Sequence, residues 1–186
     1  NQSRIALWNL ARLAETILHL IDDNQNKAIK KIEEIFKIYE KKYHELWMLM
    51  MKDKININNF NKNDEKLIKE LLDLMHVFKL DYTNTFVDIE NNVIQKHDFM
   101  KNWYEKLQER RKLNLNEKYI KKDINPKIIP RNHIVEKILN ESEKNNFSNL
   151  YKLLKNLNNP YENDIHSEFK KMPSEEEKIH ETFCGT

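Results

Sequence analysis

Apolar residues recur at steps of three and four along most of this chain, the spacing that gathers them on one face of an α-helix. From Arg4 to Asp22 the set Ala6, Leu7, Leu10, Leu13, Ala14, Ile17, Leu18 and Ile21 leaves a polar stripe of only Arg12, Glu15, His19 and Asp22, which predicts a helix mostly enclosed by other structure. From about Asn26 to Lys52 the positions Ile29, Ile32, Phe36, Tyr39, Tyr43, Leu46 or Trp47, and Met50 alternate with Lys and Glu. A long helix with one buried seam is expected there. Polar residues from Lys54 to Asp64 interrupt the pattern, and Leu67, Leu71, Leu72, Met75 and Phe78 restart it, with Asn63 or Asp64 placed to cap the new helix.

Asp81 reads as the N-cap of a short helix from Tyr82 to about Glu90, with Tyr82, Phe86 and Ile89 on one side. Phe99, Trp103 and Leu107 mark a further segment running to Arg111, and Leu113 to Lys127 carries no period and reads as a loop. Pro130 suits the first turn of the next helix, where its missing N–H does no harm, and Ile134, Ile138 and Leu139 continue it. Ser148 is the expected cap of a helix with Leu150, Leu153, Leu154 and Leu157 on its apolar face, stopped by the run from Asn158 to Asp164. No strand alternation survives. The expected fold is all-α, with a helical body over residues 1–161. The tail, 162–186, is too poor in apolar residues for a core of its own, so it is mobile or lies over the body.

Composition narrows this picture. A length of 186 residues suits one ordinary domain, and a single glycine with four prolines removes the usual turn formers, so Asn-rich connections must join the helices. The 32 Lys and Arg against 30 Asp and Glu leave a net charge of +2, which supplies no general field for nucleic acid or an anionic membrane. The longest apolar run, Leu46 to Met51, falls far short of the roughly 20 residues that span a bilayer. Arg4, Arg12 and Glu15 rule out a secretory h-region, and the abrupt start without Met suggests a piece of a longer chain. One cysteine, Cys184, allows no disulfide within the chain and favours a reducing compartment.

With Gly185 as its only glycine, the chain has neither a dinucleotide fingerprint nor a P-loop, both of which bring glycine backbone against phosphate. Asp73 with His76, and Glu177 with His180, form Glu-x-x-His-like pairs but not a complete ligand set for a metal. Glu15 and His19, one helical turn apart, are either an acid–base pair or an ordinary surface contact. Glu109 to Lys112 and Lys118 to Lys122, with Tyr119 among the cations, could grip phosphates or form a solvated charged face. An RNA-contacting reading would use Arg110, Arg111, Lys121 and Lys122. Trp8, Trp47 and Trp103 all fall on apolar helix faces, where core packing is expected.

Five strings change the reading: NQSRIALWNLARLAE from Asn1, DYTNTF from Asp81, NPKIIPRN from Asn125, LKNLNNPY ending at Tyr161, and the terminal CGT. In this order they resemble the C-terminal part of the selenoprotein O family, also called SelO or YdiU. The resemblance rests on Asn1, Gln2, Trp8, Asn9 and Arg12; on Asp81, Tyr82, Thr83, Thr85 and Phe86; on Asn125, Pro126, Arg131 and Asn132; and on Asn159, Pro160 and Tyr161. It implies a kinase-like (pseudokinase) enzyme that binds ATP with Mg2+ or Mn2+ and transfers AMP to Ser, Thr or Tyr of protein substrates. In the family the nucleotide and metal residues precede the first string. The resemblance therefore assigns no catalytic, cofactor-binding or metal residue to this chain, which is expected to bind no cofactor and to be inactive alone, scaffolding a catalytic lobe that is its implied partner.

The resemblance also implies a role for Cys184, third from the end, where family members carry selenocysteine or Cys able to pair with a Cys near the activation segment: redox gating of the catalytic lobe. Three positions depart from the family pattern: Ser3 where Pro is usual, Pro130 where an apolar residue precedes Arg131, and Met172 to Glu176 where a Trp-bearing approach to the terminus is usual. A bacterial member would be cytoplasmic and a eukaryotic one mitochondrial. A stand-alone helical protein-interaction module remains the alternative, supported by the amphipathic helix from Asn26 to Lys52.

Overall fold

The computed structural model describes residues 2–59, 61–112, 123–162 and 166–178. Among them are eight α-helices and no strand: α1 Gln2–Thr16, α2 Leu18–Ile21, α3 Gln25–Lys54, α4 Asp64–Val77, α5 Tyr82–Glu90, α6 Lys101–Lys112, α7 Asn132–Glu143 and α8 Ser148–Asn158. Short 3-10 turns occupy Ile94–Lys96, Asp98–Met100 and Ser167–Lys170. The all-α expectation holds. The chain divides into two compact units, Asn1–Met51 and Lys52–Thr186.

In the first unit the helix expected from Arg4 to Asp22 is broken. The Thr16 hydroxyl donates to the Leu13 carbonyl at 2.7 Å, and the Ile17 N–H turns to Ala14 three residues back, which tightens and ends α1. Asn24 then caps α3, its Oδ1 accepting from the Lys27 N–H at 3.1 Å, while Lys31 reaches back to Asp22 at 2.8 Å. The expected enclosure is wrong: neither α1 nor α2 has a buried residue. Trp8, expected in the core, is 61% exposed, and Arg12 lies 5.7 Å from its ring centroid. The long helix appears as expected, but its seam is displaced. Ala28, Met48 and Met51 are buried, whereas Ile29, Tyr43, Leu46 and Met50 are exposed. The nominal seam is shallow because an amphipathic stripe becomes a core only when something covers it.

The second unit is packed differently. Leu67, Ile68, Leu71 and Met75 of α4, Phe86 and Ile89 of α5, and Trp103 and Leu107 of α6 are all buried, and α6 packs on α4. The indole N–H of Trp103 donates to the Leu67 carbonyl at 2.9 Å, so this ring is fully buried without an orphaned donor. A second cluster joins Ile128, Ile138, Leu153 and Phe169, with Ile134, Val135, Leu150 and Leu157 packed against it. The tail thus contributes a core residue, Phe169, although its composition predicts no core of its own.

Helix ends explain how the chain turns without glycine. After α3, Ile57 N–H reaches Lys52 O and Asn56 N–H reaches Asp53 O. After α4, Leu80 pairs with Met75 and Lys79 with His76; after α5, Val93 with Asp88 and Asn92 with Ile89; after α7, Asn146 with Glu141 and Asn145 with Ser142. Each is a Schellman closure, which needs a left-handed residue one position past the C-cap. Asn56, Lys79, Asn92 and Asn145 take it, with φ of 54°, 50°, 56° and 60°. Asn tolerates this region better than other residues with a Cβ, so three of four sites carry it.

Two expected caps are corrected. Asn63 occupies the N-cap position of α4 without a side-chain cap, and Asp64, the first residue of the helix, gives its carboxylate to Arg110 and to the Asn61 N–H. Ser148 is the first residue of α8, after Phe147 at the N-cap, and its N–H goes to Asn146 Oδ1 at 3.3 Å. Pro130 precedes the N-cap, Arg131, so it lies one position outside the first turn of α7.

Candidate functional site

Three of the five family-like strings converge in the second unit. Asp81 opens α5 from an extended backbone (φ −69°, ψ 125°) and accepts from the Asn84 N–H at 2.7 Å, an ordinary N-cap. The same carboxylate receives both terminal nitrogens of Arg131, at 2.5 and 2.9 Å, in a bidentate pair whose side chains are 13% and 7% exposed. Asn84 Oδ1 also receives Arg131, at 3.4 Å. Burial works against ionisation of Asp81, but the Arg131 and Asn84 hydrogen bonds and the Arg131 charge outweigh it, and its carboxyl lies below the usual aspartate value.

Next to this pair, Asn125 is 2% exposed and sews three elements together. Its amide donates to the Lys54 carbonyl at the end of α3 and to Glu90 Oε2, both at 3.0 Å, and its Oδ1 accepts from Lys54 Nζ at 3.3 Å. Glu90 binds the backbone as well, taking the N–H of Asp123 at 2.9 Å and of Asn125 at 3.2 Å. Lys54 Nζ lies 4.9 Å from the Phe86 ring centroid and 5.5 Å from that of Tyr82. Burial depresses the Lys54 pKa, with the Glu90 charge opposing. The string ending at Tyr161 joins through Pro160, whose carbonyl accepts from the Lys127 N–H at 2.6 Å.

Around this lock the remaining string residues take supporting places. Thr85 and Phe86 are buried, Thr83 and Pro126 are half-buried, and Tyr82, Asn132, Asn159 and Tyr161 are exposed. Gln2, Trp8, Asn9 and Arg12 lie in α1 of the first unit, where Arg12 pairs with Glu15 at 2.6 Å. Glu15 thus pairs with Arg12, and His19 lies past the break, in α2, so the one-turn helical spacing behind either reading of Glu15 with His19 is interrupted. Asn1, Lys118 to Lys122, His180 and Cys184 lie outside the described residues.

Arg110 and Arg111 are corrected as phosphate contacts. Arg110 pairs with buried Asp64, at 2.6 and 3.0 Å, and donates to the Asn58 and Asn59 carbonyls. Arg111 donates twice to the Ile55 carbonyl, at 2.9 and 3.2 Å, and to Asn92 Oδ1 at 3.0 Å. Both guanidinium groups clamp the polar connection between α3 and α4. The pairing lies 46 residues away in sequence, so charge pattern alone reads them as a surface face. Lys54, Asn84 and Glu90, absent from the sequence-level candidates, are central here. Asn84 stands inside DYTNTF, and Glu90 lies one helical turn past Phe86, which were the available signals.

Asp81 and Arg131 pair directly, and Lys54 and Glu90 are bridged by the Asn125 side chain, so the chemistry of the lock is that of a structural clasp between motif-bearing segments. Among the described residues no group of three or more His, Cys, Asp or Glu side chains could hold a metal ion, and no helix is long and apolar enough to cross a membrane. These observations define an all-α scaffold closed by buried ion pairs. The family model for protein adenylyltransferase SelO matches residues 1–158, and the chain belongs to that family. It is 40% identical over 200 residues to the protein nucleotidyltransferase YdiU of Nitrosococcus oceani and 40% identical over 200 residues to that of Clostridium botulinum strain 657. It is 35% identical over 199 residues to the YdiU of Alcanivorax borkumensis. All of this chain aligns in each case, against 40%, 40% and 41% of the relative, so the chain spans about two fifths of their length.

Proposed function

We propose that the chain is the C-terminal helical region of a protein adenylyltransferase, which moves AMP from ATP to Ser, Thr or Tyr hydroxyls of other proteins with release of pyrophosphate. The family match over residues 1–158 carries this reading. ATP and Mg2+ or Mn2+ are assigned, from the family reading, to a kinase-like lobe outside this chain, and no chemical step is placed on the residues described. The chain scaffolds that lobe, and exposed Ile5, Trp8, Leu13, Ile35 and Ile38 on α1 and α3 supply apolar surface for it. Bacterial relatives favour the cytoplasm.

The division into a body over 1–161 and a tail over 162–186 belongs to this proposal, with Cys184 as the redox-responsive group of the tail. Incubation with labelled ATP and protein substrates tests the main claim: the family-length protein is expected to label them and this chain alone is not. Robust labelling by the chain alone would sink it. For Cys184, the family-length Cys184→Ser form is expected to lose its response to reductant; an unchanged response removes the thiol from the switch. A stand-alone interaction module is the second reading, favoured by the same exposed face, and an unrelated coding sequence upstream of Asn1 would decide for it.

A further inference from the structure

Residues 166–171 are joined to the rest of the second unit through Phe169 and Lys170. Phe169 is 2% exposed, in the slot formed by Ile128, Ile138 of α7 and Leu153 of α8. Next to it, Asn84 Nδ2 donates to the Lys170 carbonyl at 3.1 Å. Their neighbours His166, Ser167, Glu168 and Lys171 are exposed. Beside the anchor lies a cavity of about 530 Å³, lined by Ile134, Lys137 and Asn149 from the helices, by Glu168 of the segment and by Met172 and Glu177 beyond it. A grip concentrated in one ring and one amide places a segment at the low-stability end of a fold.

We infer that this segment is a detachable clasp: the groove between α7, α8 and the 123–131 stretch is a peptide-docking site, occupied in cis by the chain's own Phe169-anchored segment. Asn84 gives the clasp its consequence. Its Oδ1 accepts from Arg131 while its Nδ2 donates to the Lys170 carbonyl, so docking steadies the Asn84 side chain that borders the Asp81–Arg131 pair, and undocking returns that amide to water. Past Lys171 the chain runs near α7, where the charges of His133 and Lys137 favour ionised Glu177, after the larger contribution of its Ser174 hydrogen bonds. The inference is independent of Cys184 and of the transferase reading.

The test is a full chain carrying a specific protease site after Glu162, cut once folded. A labelled peptide of residues 166–178 is then titrated by anisotropy. The peptide is expected to bind the cut protein, and the same peptide with Phe169→Ala to bind roughly tenfold to a hundredfold more weakly. Asn84→Ala in the body is expected to weaken binding about fivefold. The clasp is overturned if the C-terminal piece stays attached until the helices melt, if cutting unfolds the body, or if the piece leaves and the labelled peptide does not bind. In the uncut chain, Phe169→Ala should speed amide exchange over 167–171 while α4 and α6 keep their protection; loss of protection throughout would make the segment integral core.

Discussion

The first unit and the second start from the same kind of sequence, apolar residues at helical spacing separated by Lys and Glu, and end with different interiors. In the first, α1 and α2 bury nothing, and only Ala28, Met48 and Met51 of α3 are buried there. In the second, α4, α5 and α6 bury a continuous set of large side chains, and two buried ion pairs, Asp64–Arg110 and Asp81–Arg131, tie distant segments together. Periodicity sets which face of a helix is apolar, while the presence of a covering partner decides whether that face becomes a core. Closure differs too. The four left-handed helix ends lie in the second unit, and the first ends α1 by a tightened turn.

The sharpest way to test this contrast is to delete one indole from each unit. Trp103→Ala removes a fully buried ring and its hydrogen bond and should cost about 3–5 kcal/mol in urea unfolding. Trp8→Ala, at an exposed position, should stay within about 0.5 kcal/mol in this chain. Equal losses would break the comparison. A larger Trp8→Ala loss in the family-length protein would sharpen it by locating the cover for α1.

Breaking one ion pair in each unit comes next. Arg131→Met strands Asp81 in a buried setting and should destabilise by about 3 kcal/mol. Arg12→Met removes a pair in which both side chains are 54% exposed and should change stability by less than about 0.5 kcal/mol. Chemical denaturation at neutral pH measures both.

Acid separates the units again. Asp81 has a lowered pKa in the folded protein. Its stabilisation is therefore complete above the ordinary aspartate range and is lost as pH falls through the lowered value. Asp22 is also lowered, first by its hydrogen bond with Lys31 and then by the Asn24 N–H, but it is only half-buried and its partner Lys31 is exposed, so salt screens the pair. Unfolding midpoints measured across acidic pH should lose much of their slope in Asp81→Asn and little in Asp22→Asn. Equal slopes in the two variants would deny Asp81 its special standing.

Short-range signals were legible in the residues. Asp81 as a cap and α5 from Tyr82 to Glu90 follow from a few adjacent positions, and the structure agrees at both ends. Asp64 shows the limit. The same local logic makes it a cap, yet a guanidinium 46 residues away takes its carboxylate. The motif residues of the lock stood out as strings, but their meeting point did not, because Lys54 carries no local mark that distinguishes it from a surface charge and Glu90 is marked only by its place one turn past Phe86. Trp8 was misread for the opposite reason: its face is apolar, and no feature of a helix encodes whether its partner is at hand.

The smallest expected effect lies at the helix ends. Lys79 is the one Schellman residue among the four that is neither Asn nor Gly, so Lys79→Gly should stabilise by about 0.5–1 kcal/mol, net of glycine's entropy cost, while Asn145→Gly should be nearly neutral. Thermal melts of the two variants would resolve the difference; a loss of stability in Lys79→Gly would show that the turn is not strained there.

Using asparagine where other proteins use glycine also bears on how the protein ages. Asparagine deamidates when the following backbone nitrogen attacks its side chain to form a cyclic imide, a step that glycine at the next position accelerates and a β-branched residue hinders. Asn56 is followed by Ile57 and Asn92 by Val93. The closures at Asn56 and Asn92 are thus guarded against slow conversion to aspartate and isoaspartate, whereas Asn145, followed by Asn146, lacks that β-branched guard.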